Sequence, residues 1–334
     1  MKQVECEPSE TMLNAALHAN LILPYGCKDG ACGSCKAELV SGTVDYGNYQ
    51  SRALSEEERV RGKVLTCCAR PLSDVQLKVR ELSGLGDIPV KKMPCRVQQI
   101  DRRADDVIVL TLQLPANEVL QFLAGQYIEF ILRDGSRRSY SLANAPSHQG
   151  TIELHLRHMP GGLFTDHVFG AMKEREILSF EGPLGTFFLR EDSTKPIVLL
   201  ASGTGFAPIK SMVEQAFFKN MDRQFVLYWG ARKKADLYML ALAQQWASEH
   251  DNFSFVPVLS EPTQVCEWTG RTGFVHQAVM QDFPDLSGHQ VYACGAPVMV
   301  DSAQRDFVSK CGLPEDEFYA DAFTSLADMD SSPK

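Results

Sequence analysis

The sequence predicts a multidomain α/β protein built of three parts in series. Three observations carry that prediction: cysteines crowd the first part, alternating β patterns fill the middle, and strand–glycine–helix units repeat through the rest. At 334 residues, and about 150 residues per domain, two or three domains are expected. With 44% hydrophobic and 22% charged residues the chain reads as an ordinary soluble globular protein. The opening "MKQVECEPSETM" carries acids and a proline where a signal peptide needs a basic start and an apolar core, and no apolar run approaches a membrane span. The expected location is therefore the cytoplasm, where clustered thiols more often hold metal than each other. A net charge of −9 argues against a nucleic-acid footprint and is compatible with a basic protein partner.

In the first part, residues 1–85, "KQVECEP" is strand-like. "SETMLNAALHAN" spaces Leu13, Ala16 and Leu17 as a helix does, with Ser9 or Thr11 as cap. "CKAELVSGTVDY" alternates like a strand, and "SEEERVRG" reads as a short charged helical turn. "ELSGLGDIPVKKMP" lacks periodicity and is the linker candidate. Over 92–192, "RVQQIDRRADDVIVLTLQLP", "QYIEFIL", "RRSYSLAN", "TIELHLRH" and "EILSFEG" alternate between turn residues, which predicts a small antiparallel barrel. Over 195–325, "KPIVLLASGTGFAPIKSMVEQAFF", "QFVLYWGAR", "DLYMLALAQQWASEH" and "HQVYACGAPVMVDSAQRDFVSKCG" alternate strand and helix, which predicts a parallel sheet with crossover helices.

Six of the ten cysteines precede residue 70. Cys27, Cys32, Cys35 and Cys67 follow a C-x4-C-x2-C…C pattern, the plant-type spacing for a [2Fe-2S] cluster, in which each iron takes two thiolates besides the bridging sulfides. Gly26, Gly30 and Gly33 suit a tight loop with N–H groups turned toward sulfur. A structural zinc site is the alternative, but it favours paired C-x2-C knuckles and only one such pair is present. Cys68 adjoins Cys67 and reads as a packed thiol.

"GTGFAP", residues 203–208, follows an apolar strand and opens a helix, where a backbone can close on a pyrophosphate at the positive helix end. Taken alone such a turn is equally a structural one, and it is not the G-x-G-x-x-G of ordinary dinucleotide-binding dehydrogenases. In "RRSYSLAN", alternation puts Arg138 and Tyr140 on one strand face and Ser141 on the other; by themselves these are also ordinary half-exposed strand residues.

In combination and in this order, the three elements resemble the ferredoxin-NADP reductase superfamily with a plant-type ferredoxin fused at the N-terminus, over nearly the whole chain. The resemblance implies a β-grasp [2Fe-2S] ferredoxin domain, an antiparallel β-barrel FAD domain and a parallel α/β NAD(P)H-binding domain. It implies that Arg138, Ser139, Tyr140 and Ser141 form the flavin-binding strand, with Arg138 on the phosphate, Tyr140 on the isoalloxazine and Ser141 near the flavin N5. Gly161, Gly162 and Thr165 of "HMPGGLFT" would line the FAD pyrophosphate, and Gly203, Thr204, Gly205 and Pro208 would form the nicotinamide-dinucleotide phosphate loop. Cys294 and Gly295 of "YACGAPVM" would lie against the nicotinamide, with Ser141 and Cys294 nearest the chemistry. Phe323 of "YADAFTS" would cover the flavin. A buried structural cysteine and a core phenylalanine are the plain alternatives for Cys294 and Phe323.

Within the superfamily, "LPYGCKDGACGSCKAELVSGTVDYG", "RRSYSLANAP" and "ASGTGFAPIKSMVE" are most similar to the reductases that serve pyridoxamine-phosphate-dependent CDP-sugar 3-dehydrases in 3,6-dideoxysugar synthesis. One departure is that ferredoxin domains of this kind open with a β-hairpin, whereas "KQVECEP" begins at the first methionine. Either the start lies upstream or the sheet has an exposed edge suited to pairing. The implied activity is conversion of the two electrons of NAD(P)H, through FAD, into single electrons at the cluster, for a partner enzyme docked at the ferredoxin domain. A reductase of an aromatic-ring or other oxygenase, and a redox-sensing scaffold without turnover, are the rivals. Arg232, Lys233 and Lys234 after a sheet strand suit a 2′-phosphate or plain solvent; NADH is expected, with NADPH tolerated. A monomer is expected.

Overall fold

Thr11 caps the first helix, α1 (Met12–His18), by accepting the Asn14 N–H at 3.4 Å, and α1 buries Leu13 and Ala16 as their spacing requires. The structure, a computed structural model, describes residues 2–82, 88–262 and 267–323. The chain divides into two compact units: the described residues up to Pro89 with Gly185–Phe187 and those from Asp321 onward, and Val90–Leu184 with Phe188–Ala320.

In the first unit, β1 (Lys36–Ser41) is followed by β2 (Val44–Asp45), α2 (Glu56–Val60), β3 (Lys63–Leu65), β4 (Arg70–Pro71) and β5 (Gln76–Lys78). β1 is the centre of a three-stranded antiparallel sheet in the order β3-β1-β5, and β2 pairs with β4. α2 carries a capping box, Ser55 and Glu58 satisfying each other's backbone N–H groups. Leu13, Leu54 and Leu65 close the core around Cys35 and Cys67, each such burial contributing about 1.5–3 kcal/mol. Two expectations are corrected here. "KQVECEP" forms no strand, and "CKAELVSGTVDY" is two strands, because the chain leaves β1 at Ser41 to pair β2 elsewhere.

The second unit begins with β6 (Lys91–Ala104), β7 (Val107–Gln113), β8 (Tyr127–Ile131), β9 (Arg137–Ser141), β10 (Thr151–Arg157), α3 (Leu163–Gly170) and β11 (Ile177–Leu184). The sheet order β10-β7-β6-β11-β8-β9 is closed by the Leu142–Leu154 bridge, giving the expected antiparallel barrel. Its centre is filled by Val97, Leu110, Ile128, Phe130, Leu154 and Phe180. The linker candidate is partly strand: Lys91 to Pro94 open β6, paired with β11, while residues 83–87 lie outside the described residues.

The unit continues with β12 (Ile197–Ser202), α4 (Phe206–Phe218), β13 (Phe225–Ala231), α5 (Leu240–Glu249), β14 (Phe253–Leu259), β15 (Arg271–Thr272), α6 (Val275–Asp282), β16 (Gln290–Gly295), α7 (Pro297–Cys311) and β17 (Phe318–Ala322). The order is β15-β14-β13-β12-β16-β17, with β12 parallel to both β13 and β16. β12 is therefore where the winding reverses, and the crevice at the carboxyl ends of β12 and β16 is where such sheets bind ligands. The helix expected over "DLYMLALAQQWASEH" starts only at Leu240, since Leu237 and Tyr238 are drawn into the core in a turn.

Candidate functional site

The cysteine loop is held by its own backbone. The N–H groups of Ala31 and Cys32 both donate to Cys27 Sγ at 3.3 Å, and the Cys27 N–H donates to Cys32 Sγ at 3.4 Å. Gly30 has φ +77°, and a Cβ there would stand 2.6 Å from Cys68 Sγ and 2.9 Å from the Asn48 carbonyl, so only glycine fits. Thr66, fully buried, gives both its N–H and its hydroxyl to the Cys35 carbonyl, at 3.2 and 3.1 Å, and so sets Cys67 Sγ 3.2 Å from Cys35 Sγ. The thiols thus form two close pairs, Cys27 with Cys32 and Cys35 with Cys67. Hydrogen bonding from the Cys27 thiol outweighs burial and lowers the Cys32 thiol below its ordinary value.

Two distant segments join this unit. Thr186 Oγ1 accepts the Tyr25 N–H and donates to the Tyr25 carbonyl, both at 2.8 Å, bracing the chain two residues before Cys27. Asp321 comes close enough to Cys32 for its sulfur to add to the burial that pushes the carboxyl up to about 7. Phe323, two residues on and half-buried, belongs to the same unit.

On the barrel, β9 alternates as expected. Arg138 and Tyr140 pair with Phe130 and Ile128, while Ser139 and Ser141 pair with Glu129 and Tyr127. Tyr140 is half-buried, its ring 6.0 Å from Phe130 and 5.5 Å from Phe164, and burial raises its hydroxyl. Arg138 donates to the neighbouring Arg137 carbonyl at 2.7 Å, and Ser141 is buried. Gly161 and Gly162 lead into α3, and Thr165 turns its hydroxyl inward to the Met159 carbonyl at 2.9 Å, where it braces the loop. Asp166 holds the Gly161 N–H at 3.0 Å.

At the switch point, Gly203–Gly205 form one tight turn before α4, with Thr204 buried and Pro208 in the first helical turn. A Cβ on Gly205 would sit 2.2 Å from the Cys294 carbonyl oxygen, and one on Gly295 would meet Ser202 Oγ at 2.3 Å. The two loops lie backbone to backbone at the carboxyl ends of β12 and β16, and Cys294 is fully buried. Trp229 Nε1 donates to the Gly203 carbonyl at 3.1 Å, and its ring stacks on Phe206 at 4.0 Å. Arg232, Lys233 and Lys234 are exposed past the end of β13.

A buried polar network that the sequence reading missed joins α4 to the barrel. Lys210 Nζ lies 3.1 Å from Glu153, 2.8 Å from Glu214 and 3.3 Å from the Ala143 carbonyl, and Ser211 Oγ donates to the Asn144 carbonyl at 2.7 Å. His155 places Nε2 3.0 Å from Glu153 and Nδ1 2.7 Å from the Tyr238 hydroxyl. Burial lowers its pKa, and the neutral ring must donate from Nε2, since a carboxylate only accepts; Tyr238 then donates to Nδ1. Burial would raise Glu153, but His155 and Lys210 outweigh it and bring the carboxyl down to about 2. The visible signal for this network was a lysine inside the apolar run "GFAPIKSMV", which is costly to bury without partners.

Three family descriptions match along the chain: "2Fe-2S iron-sulfur cluster binding domain" over 1–72, "Oxidoreductase FAD-binding domain" over 94–189 and "Oxidoreductase NAD-binding domain" over 199–305. A Yersinia pestis protein named CDP-6-deoxy-L-threo-D-glycero-4-hexulose-3-dehydrase reductase is 47% identical over 315 residues, 94% of this chain and 93% of that one. The chain belongs to the iron–sulfur flavoprotein reductases. The reductase is also 37% identical to the reductase subunit of an aromatic O-demethylase from an Amycolatopsis strain, over 92% of each chain. A crystal structure of an Amycolatopsis cytochrome P450 reductase superposes with TM-score 0.78 and 35% identity over 97% of each chain. The reductase therefore uses NAD(P)H, FAD and a [2Fe-2S] cluster, and moves electrons in that order. Among the described residues no helix is long and apolar enough to cross a membrane.

Proposed function

We propose that the reductase delivers electrons to a dehydrase acting on a CDP-linked 4-keto-6-deoxyhexose. The observation that carries this is the end-to-end 47% identity with the dehydrase reductase, against 37% for the O-demethylase subunit. FAD accepts a hydride and releases electrons singly, and the cluster carries one at a time. Cys27 and Cys32 hold one iron, Cys35 and Cys67 the other, and this agrees with the two thiol pairs. Arg138 binds the flavin phosphate, Tyr140 and Ser141 flank the ring, and Ser139 lines the strand's outer side. Gly161 and Gly162 line the pyrophosphate at the start of α3 with no side chain in its way, a loop that Thr165 keeps in shape. Gly203, Thr204, Gly205 and Pro208 open the nicotinamide-dinucleotide site, Cys294 and Gly295 set the nicotinamide, and Phe323 shields the flavin. NADH is the donor, with NADPH tolerated through Arg232, Lys233 and Lys234. The domains run over 1–85, 92–192 and 195–325, and the reductase works as a cytoplasmic monomer without nucleic acid or membrane, its partner docking at the ferredoxin domain. The test is NADH-driven turnover with a purified CDP-sugar 3-dehydrase and, separately, with an oxygenase component. Product from the dehydrase alone is expected; coupling to the oxygenase alone overturns the acceptor assignment.

A further inference from the structure

Cys68 is a second thiol set against the cluster cysteines, and its position is built. Its Sγ lies 3.5 Å from Cys67 Sγ. Two glycines make the room: a Cβ on Gly30 would approach Cys68 Sγ to 2.6 Å, and one on Gly47 would approach the Cys68 carbonyl oxygen to 2.6 Å and its Cβ to 3.5 Å. Both have positive φ, +77° and +65°, so the backbone on two sides is shaped for glycine and leaves this thiol its seat. Beyond it lies a cavity of about 460 Å³ lined by Thr11, Asp29, Asp45, Cys67, Cys68 and Arg70. Cys67 and Cys68 therefore stand side by side on the wall of a polar, open space.

We propose that Cys68 is a positioning residue for the cluster, donating an S–H···S hydrogen bond to the iron-bound sulfur of Cys67 and thereby raising the cluster's reduction potential. The inference rests on the assignment of Cys27, Cys32, Cys35 and Cys67 as ligands. The direction of the bond follows from chemistry: an iron-bound thiolate has no proton, so Cys67 accepts and Cys68 donates. One-electron reduction adds negative charge that spreads onto the ligating sulfurs, so a donor aimed at one of them stabilises the reduced form more than the oxidised form.

The test compares full-length protein carrying Cys68→Ser, which keeps a donor, with Cys68→Val and Cys68→Ala, which remove it, the first filling the seat and the second leaving room for water. Iron content, the electron paramagnetic resonance spectrum of the reduced cluster and its midpoint potential are measured. Cys68→Val is expected to shift the reduction equilibrium about three- to tenfold toward the oxidised form, tenfold being about 59 mV for one electron. Cys68→Ser is expected to keep the wild-type potential, and Cys68→Ala to fall between them. A wild-type potential in Cys68→Val, or an equal fall in Cys68→Ser, overturns the proposal. If Cys68→Val fails to assemble a cluster, the Ala and Ser pair decides by the same criterion. Loss of the cluster in Cys68→Ala but not in Cys67→Ala would exchange the roles of the two cysteines and also overturn it. Iron-free wild-type protein would overturn the ligand assignment itself, an outcome distinct from an intact cluster with an unchanged potential.

Discussion

Gly205→Ala probes the nicotinamide-dinucleotide site with one methyl group. Gly205 has a helical backbone, φ −58° and ψ −12°, which alanine adopts without strain, so the whole effect comes from collision. The new Cβ would stand 2.2 Å from the Cys294 carbonyl oxygen, 2.5 Å from its carbon and 2.7 Å from Gly295 Cα, where ordinary contacts begin at 3.4 Å. All three are backbone atoms of β16, which cannot swing aside as a side chain would. The start of α4 and the end of β16 must separate by about 1 Å; overpacking of this kind costs about 1–3 kcal/mol. A misplacement of about 1 Å between reacting groups can cost about 100-fold in rate. Stopped-flow reduction of the flavin by NADH should show the limiting rate falling by about that factor, with flavin content and cluster absorbance preserved. Gly135→Ala is the control: φ is +80° but nothing lies within 4 Å of a Cβ, so it should cost about 1–2 kcal/mol of stability and leave flavin reduction unchanged. Wild-type kinetics in Gly205→Ala would refute the reasoning, since the two loops would then not be held together at the site.

Cys35→Ala should lose the cluster's absorbance and iron while flavin reduction by NADH continues, and NADH-driven cytochrome c reduction, followed by absorbance, should collapse. Lys210→Met takes the buried cation from the half-buried Glu153 and Glu214 and should lower stability by about 1–3 kcal/mol in urea unfolding. Glu153 sits at about 2 in the folded chain against an ordinary 4.5. Its stabilisation is therefore complete above about pH 4.5 and is lost as pH falls toward 2, so Glu153→Gln should flatten that acid limb of a stability–pH curve. Thr186→Val keeps the shape of the side chain but strips the Tyr25 N–H of its acceptor; a loss of about 1–3 kcal/mol is expected, read as a lower melting temperature of the cluster-bearing unit.

The elements that carry the candidate site were readable before any fold was known, because they depend on local pattern. The cysteine spacing, the glycine turn before α4 and the β9 alternation are short-range features, and each sits on the kind of element expected. The misses share a different cause. "DLYMLALAQQWASEH" has helical composition from its first residue, yet the helix waits until Leu240 because Tyr238 is committed to His155, 83 residues earlier in the chain. Thr186 gave no sequence signal at all, since its partner Tyr25 is 161 residues away. Cys68 is packed in the core as expected, but the seat that Gly30 and Gly47 shape for it joins three segments and has no local signature.

The sequence by itself determined the kinds of elements, their order and the set of groups the chain can hold, since periodicity and ligand spacing are properties of neighbouring residues. Only the tertiary structure decided which thiols pair, where the sheet reverses its winding, how closely Gly205 approaches Cys294 and which carboxylates Lys210 balances. These depend on distances between segments far apart in the chain, fixed by close packing and by the need of every buried polar group for a partner.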